Sequence, residues 1–209
     1  IFFTFKYFFA IIFLLLSSFH ILAQNDNPAI ATLVDVEGSV QVFKKSSKSR
    51  TGVHGMLLFE GNKLLTHNKS KTTVKYRDGS IIRLFQNSTL TLNSSEEQPT
   101  NERTFKFQLA LKSGSLRGRF VKGLQRTMIR TPTAIIGIKG TSFRISENNN
   151  LATVSLTEGK LEISNITSKT ILKPGQWIHS FNRTTELKEN VSQIPNLLYM
   201  KTDKYELDF

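Results

Sequence analysis

The sequence predicts an all-β fold, either a short twisted β-solenoid-like domain or a two-sheet β-sandwich, and three observations predict it. Alternating apolar residues recur from Leu33 to Ile178, the period of a half-buried strand. Glycine-led turns punctuate these runs at Gly38, Gly61, Gly79, Gly114, Gly159 and Gly175, at irregular intervals that allow rungs of roughly 20 residues. Strand and turn signals fill the chain almost throughout, which disfavours a parallel α/β fold. A chain of 209 residues, 39% hydrophobic and 21% charged, suits one domain with one substantial core.

The elements follow in order. Ala31 to Phe43 reads as strand, turn at Glu37-Gly38-Ser39, and strand. Lys44 to Arg50 is a polar basic loop, and Met56 to Leu65 turns at Glu60-Gly61-Asn62. Thr72–Tyr76 and Ile81–Phe85 flank Arg77-Asp78-Gly79-Ser80, and Asp-Gly between two such runs predicts a hairpin. Leu90 and Leu92 close that unit, and Asn93 to Asn101, with Pro99, is a loop. Phe105 to Leu111 alternates, turns at Ser113-Gly114-Ser115 and continues to Val121. Thr127–Thr131, Ala134–Ile138, Phe143–Ile145 and, after an Asn148–Asn150 turn, Val154–Leu156 are further strands. Glu158-Gly159-Lys160 leads into Leu161–Ile163, and Pro174-Gly175-Gln176 into Trp177 and Ile178. Beyond Arg183 alternation fades into a short irregular or partly helical tail, with Asn196–Met200 as the helical candidate.

The ends set the compartment. Lys6, the apolar run Tyr7–Leu16 and the small residue Ala23 before Gln24-Asn25-Asp26 spell a secretory signal peptide over residues 1–23. The run is short for a bilayer-spanning helix, although a retained anchor is the alternative. The organisation expected is therefore 1–23 signal peptide, 24–182 β domain and 183–209 tail. With no cysteine, disulfides and cysteine lipidation are excluded, so the exported product is periplasmic, cell-surface or secreted, with no transmembrane segment in the mature chain.

Within the predicted sheet, Thr131-Pro132-Thr-Ala134-Ile-Ile-Gly-Ile-Lys139-Gly140-Thr141-Ser-Phe143 carries the densest signal. Pro132 starts an extended segment, Ile135, Ile136 and Ile138 offer strand side chains, and Gly137 and Gly140 mark bends or close backbone approach.

Charge is uneven. The formal balance is +12, and from Arg103 to Arg144 there are ten Lys or Arg and no Asp or Glu. On an extended strand Arg117 and Arg119 share one face while Leu116, Gly118 and Phe120 share the other, which predicts a cationic ridge above an apolar row. Arg117, Arg119, Lys122, Arg126 and Arg130 are the candidate anion- or partner-binding residues. A solvated strand face that keeps the sheet soluble is the plainer reading.

Catalytic chemistry is not written here. His54, His67 and His179 lack metal-ligand spacing, and Glu37, Glu60, Asp78 and Glu158 each precede a glycine, where turn or sheet-end roles explain them. No Cys nucleophile or Gly-x-Ser-x-Gly elbow exists. Neither cofactor nor metal is expected. Trp177 reads as a core plug rather than a sugar-stacking platform.

The chain resembles the FecR domain family. The matching positions are Gly38-Ser39-Val40, Gly61 with Leu64, Asp78-Gly79-Ser80, Leu111 with Gly114-Ser115-Leu116, Thr131-Pro132 with Ala134, Lys139-Gly140-Thr141 with Phe143, Glu158-Gly159, and Pro174-Gly175-Gln176. The family more often has arginine where Lys139 stands. The resemblance implies a non-enzymatic, extracytoplasmic β domain of Gram-negative bacteria. Its best known members receive a signal from an outer-membrane siderophore receptor and pass it through a membrane helix to control a sigma factor. Against that plan, no cytoplasmic segment precedes the hydrophobic stretch, no internal membrane helix is evident and about 30 residues follow the matching region.

A secreted binding or regulatory module that recognises a protein or envelope partner fits these features best. A structural envelope protein held by charge to anionic glycan or lipid is the alternative, and a component of iron-siderophore signalling to a sigma factor is another. Nucleic acid is not an expected partner, because the basic pI stands without a nucleic-acid module and beside an export signal.

Overall fold

The computed structural model describes residues 28–44, 48–95, 106–122 and 127–195. The signal peptide and the Asn196–Met200 helix candidate lie outside the described residues. Fifteen strands are described. The first eight are β1 Ala31–Glu37, β2 Val40–Phe43, β3 Arg50–Thr51, β4 Leu57–Leu58, β5 Lys63–Thr66, β6 Lys71–Tyr76, β7 Ile81–Leu84 and β8 Thr89–Ser95. They are followed by β9 Lys106–Arg119, β10 Thr127–Arg130, β11 Ile135–Asn148, β12 Leu151–Ser164, β13 Lys169–Leu172, β14 Gln176–Phe181 and β15 Val191–Gln193. A single 3₁₀ turn, Lys188–Asn190, precedes β15.

The pairings arrange these strands in two rows. The front row runs β4, β1, β6, β7, the second half of β9, the second half of β11, the first half of β12, β14 and β15. The back row runs β3, β2, β5, β8, the first half of β9, β10, the first half of β11, the second half of β12 and β13. Only β9 and β10 pair in parallel among the described strands. Both rows feed one core, from Leu33, Val74, Ile82, Leu116, Ile145 and Val154 in front to Leu64, Leu90, Leu111, Ile129, Ile136 and Ile163 behind. Leu187 joins it, so the packed domain continues past Arg183.

Long strands cross between the rows at glycines. The sequence reads Ser113-Gly114-Ser115 and Glu158-Gly159-Lys160 as turns that end strands. Instead β9 and β12 run straight through, each changing partners at its glycine. Gly114 has φ +91° and Gly159 φ +84°, a left-handed backbone that side chains rarely adopt. Each also lacks room: a Cβ on Gly114 meets the Ser88 backbone, and one on Gly159 meets the Gly140 carbonyl. Gly140, at φ +58°, makes the same crossing in β11, where a Cβ would lie 2.5 Å from Lys122 Cγ and 3.0 Å from its Cα.

Serine hydroxyls tie these corners. Ser88 Oγ accepts from the Ser115 amide at 2.9 Å, and Ser70 Oγ accepts from the Ser39 amide at 2.8 Å beneath Gly38. Gly137 differs from its neighbour. A Cβ there would meet Glu162 at an ordinary 3.7 Å, so this glycine marks neither a bend nor a close approach.

The remaining family-motif residues are architectural in position. Asp78 winds the β6–β7 hairpin by accepting from the Ser80 amide at 2.8 Å and its hydroxyl at 3.0 Å, while Gly79 supplies φ +87°. Gly61 and Gly175 have φ of +77° and +82° at strand entries. Thr141 is buried, and its carbonyl accepts from the Phe120 amide at 2.9 Å. Phe143 fills the space above Gly118, its register partner, where a Cβ would come within 2.5 Å of the ring. It stacks on Phe120 at 5.9 Å between centroids. Glu158 is exposed beside Gly159.

Candidate functional site

The predicted alternation on β9 holds in space. Leu116, Gly118 and Phe120 are buried, Arg119 is exposed and Arg117 is half-buried on the outer side of the front row. Strand pairing then adds what alternation alone cannot. Arg117 lies opposite Arg83 of β7 on one side and Arg144 of β11 on the other. Adjacent strands are about 4.8 Å apart, so three arginine positions fall within about 10 Å on one outer row. The row continues in register to Thr73 and Asp35 beyond Arg83, and to Ser155 and Trp177 beyond Arg144.

Local contacts hold these side chains. The Arg83 Nε donates to Thr73 Oγ1 at 3.4 Å, and its guanidinium lies 4.0 Å from the Asp35 carboxylate. The Arg144 guanidinium stands 4.8 Å from the Phe85 ring centroid, a cation–π arrangement. Arg144 as a residue reaches solvent. Its guanidinium nonetheless rests against protein, and that burial first, then the charge of Arg117, lowers its pKa from the ordinary arginine value. Like charges directly opposite on adjacent strands repel. At the Arg83 end the Asp35 carboxylate offsets part of that repulsion.

The other candidates are dispersed. Lys122 is exposed where β9 meets the Gly140 corner. Arg130 ends β10 in the back row, facing outward on the side of the domain opposite Arg117. Arg126 lies outside the described residues. Arg83 is the residue that sequence reasoning missed, because its place beside Arg117 comes from a pairing between strands far apart in the chain. Trp177 is corrected as well. It is half-buried on the outer side of β14 rather than a core plug, with its ring 4.8 Å from that of His179.

The carboxylates that precede glycines are spread over separate turns. Glu37 pairs with Lys71 at 2.9 Å, and Asp78 is occupied by Ser80. His54 Nδ1 lies 2.8 Å from the Val34 carbonyl oxygen, and His179 Nδ1 lies 3.4 Å from Thr153 Oγ1. Among the described residues no three His, Asp or Glu side chains gather as a metal site, and no helix is long and apolar enough to cross a membrane.

Residues 62–162 match the family model described as FecR protein, which spans β5 to β12, all three arginines of the row and the crossings at Gly114, Gly140 and Gly159. No curated protein matches the chain. Two solved structures of a candidate anti-sigma factor from Parabacteroides distasonis are similar at 17% and 16% identity, with TM-scores of 0.47 and 0.48. Each comparison covers 63% of this chain and 58% of the other, so the chain spans under two thirds of those relatives' length. A cell surface anchoring domain is similar at 26% identity and a TM-score of 0.29, over 30% of this chain and 82% of that one.

Proposed function

We propose, from the match of residues 62–162 to the FecR family model, that the chain is a non-enzymatic, extracytoplasmic binding and regulatory module that recognises a protein partner through the outer face of its front row. The observation that carries the reading is the in-register row Arg83, Arg117 and Arg144. Three arginines stand side by side on paired strands in fixed register, and arginine forks suit carboxylates on a partner surface. The Trp177–His179 pair on the same side supplies an aromatic patch of the kind that interfaces favour. On this reading the signal peptide expected over residues 1–23 would export the module to the periplasm, the cell surface or the medium.

Capture of the tagged domain's partners from its own cells, at low and high salt, tests this reading. A discrete protein retained by the parent in high salt and lost from Arg83→Gln/Arg117→Gln/Arg144→Gln supports it, because a packed interface resists screening. Recovery of bulk envelope material alone, released by salt, assigns the charge to adsorption on anionic glycan or lipid instead. An outer-membrane receptor among the captured proteins extends the reading to siderophore signalling.

A further inference from the structure

A second basic feature lies where the end of back-row β10 meets the turn that follows front-row β14. Arg130 closes β10, and the chain then winds through Thr131-Pro132-Thr133-Ala134. Thr131 Oγ1 accepts from the amides of Thr133 at 3.1 Å and Ala134 at 3.0 Å, and the Thr131 amide donates to the Ala134 carbonyl at 2.8 Å. The Thr133 hydroxyl turns inward and donates to the buried Glu147 carboxylate at 2.9 Å. This turn is therefore pinned at both ends, and with it the backbone under Arg130.

A facing wall is pinned as firmly. Asn165 Oδ1 accepts from the amides of Thr167 and Ser168, and its amide nitrogen donates to the carbonyls of Asn182 at 3.2 Å and Thr185 at 2.8 Å. Asn182 Oδ1 in turn accepts from the Thr184 amide at 2.9 Å and from the Thr184 and Thr185 hydroxyls at 3.0 Å. Arg183 sits in this turn, and its carbonyl accepts from the Ile166 amide at 3.3 Å. Between the two walls lies a cleft of about 270 Å³ whose lining includes Arg130, Arg183, Pro132, Ile135 and Ile166. Ile135 is 37% exposed and Ile166 66%, so both aliphatic side chains are open to a ligand beside the two arginines. Among the described residues neither Arg130 nor Arg183 is paired with a carboxylate.

We propose that this cleft binds an acidic peptide segment of a partner protein, with a carboxylate between Arg130 and Arg183 and an adjacent apolar side chain over Ile135 and Ile166. Charge complementarity selects that occupant. Two arginines on preorganised backbone hold a carboxylate through charge-assisted hydrogen bonds, and the isoleucines favour an apolar neighbour over a bare anion. The inference rests on the reading that this domain binds protein and adds a second contact, at residues separate from the front-row arginines.

The test is a titration of the ¹⁵N-labelled full chain with acetyl-Leu-Asp-Phe-Asp-Leu-amide, and with the same peptide carrying Asn for Asp. The expected result is saturable shifts at residues 130–135, 164–166 and 183, binding at least tenfold weaker for the Asn peptide, and binding at least tenfold weaker to Arg130→Gln/Arg183→Gln. Both arginines are exposed, and the unchanged remainder of the spectrum confirms that this variant is folded. The front-row triple variant is expected to bind the peptide as the parent does, so failure of the front-row reading leaves this result intact. Equal affinity for the two peptides, shifts confined to the front row, or no saturation at millimolar peptide overturns the proposal.

Discussion

The glycine crossings and the arginine row occupy the same long strands, yet they answer to different physics. At Gly114, Gly140 and Gly159 the chain needs a left-handed backbone and has no space for a Cβ, so the residue type is dictated by the fold. A few residues away, Arg117 and Arg144 stand on the outer face in register with Arg83, where neither backbone angle nor lack of space dictates the residue type and like charges repel. The contrast separates residues that the backbone dictates from residues that it does not. Substitutions at the crossings are expected to act on folding, and substitutions in the row on binding.

The largest effect is expected at a crossing. Gly140→Val forces a β-branched residue to positive φ against Lys122, and the combined strain and overlap are expected to cost more than about 3 kcal/mol. Urea unfolding reads it, and a variant as stable as the parent removes the distinction between crossing and row. Ser88→Ala takes the acceptor from the Ser115 amide at the Gly114 crossing and is expected to cost about 1 to 2 kcal/mol in the same measurement. An unchanged midpoint means that the crossing stands without its serine.

Tyr76 sharpens the account of the core between the rows. Burial first, and then the charge of Asp78, raise its phenol pKa far above the ordinary value near 10. A raised folded pKa means that this stabilisation is complete below about pH 10 and is lost as pH rises above it. With one proton involved, the loss is about 1.4 kcal/mol per pH unit. Stability is expected to fall more steeply between pH 10 and 11 in the parent than in Tyr76→Phe, and equal slopes contradict the assignment.

The smallest effect is expected at Gly137, three residues before Gly140. Its Cβ position is open, so Gly137→Ala is expected to leave stability within about 0.5 kcal/mol of the parent or slightly above it. A loss comparable to that at Gly140 indicates a constraint on Gly137 beyond its own space.

Much of this architecture was legible in the sequence, and the limits have a physical reason. Alternation located the longer strands but not the short β3, β13 and β15, and Asp78-Gly79 marked its hairpin correctly. Gly114 and Gly159 were read as strand ends because a glycine signals a local backbone need without saying which strand lies beside it. The two halves of the cationic ridge fared differently for the same reason. Arg117 and Arg119 followed from their own strand's period, whereas Arg83 joined them only through the β7–β9 pairing. Arg130 was grouped with them by proximity in sequence, although its strand belongs to the opposite row. Trp177 was misplaced because a lone tryptophan beside Ile178 carries no sign of which of the two faces inward.

The most direct test of the central claim compares partner retention and urea unfolding for Arg83→Gln/Arg117→Gln/Arg144→Gln against the parent. The account predicts lost retention with stability within about 1 kcal/mol of the parent, as relief of like-charge repulsion offsets the lost Asp35 and Phe85 contacts. Retention at parental strength, or an unfolded variant, contradicts it and returns the arginine row to the scaffold.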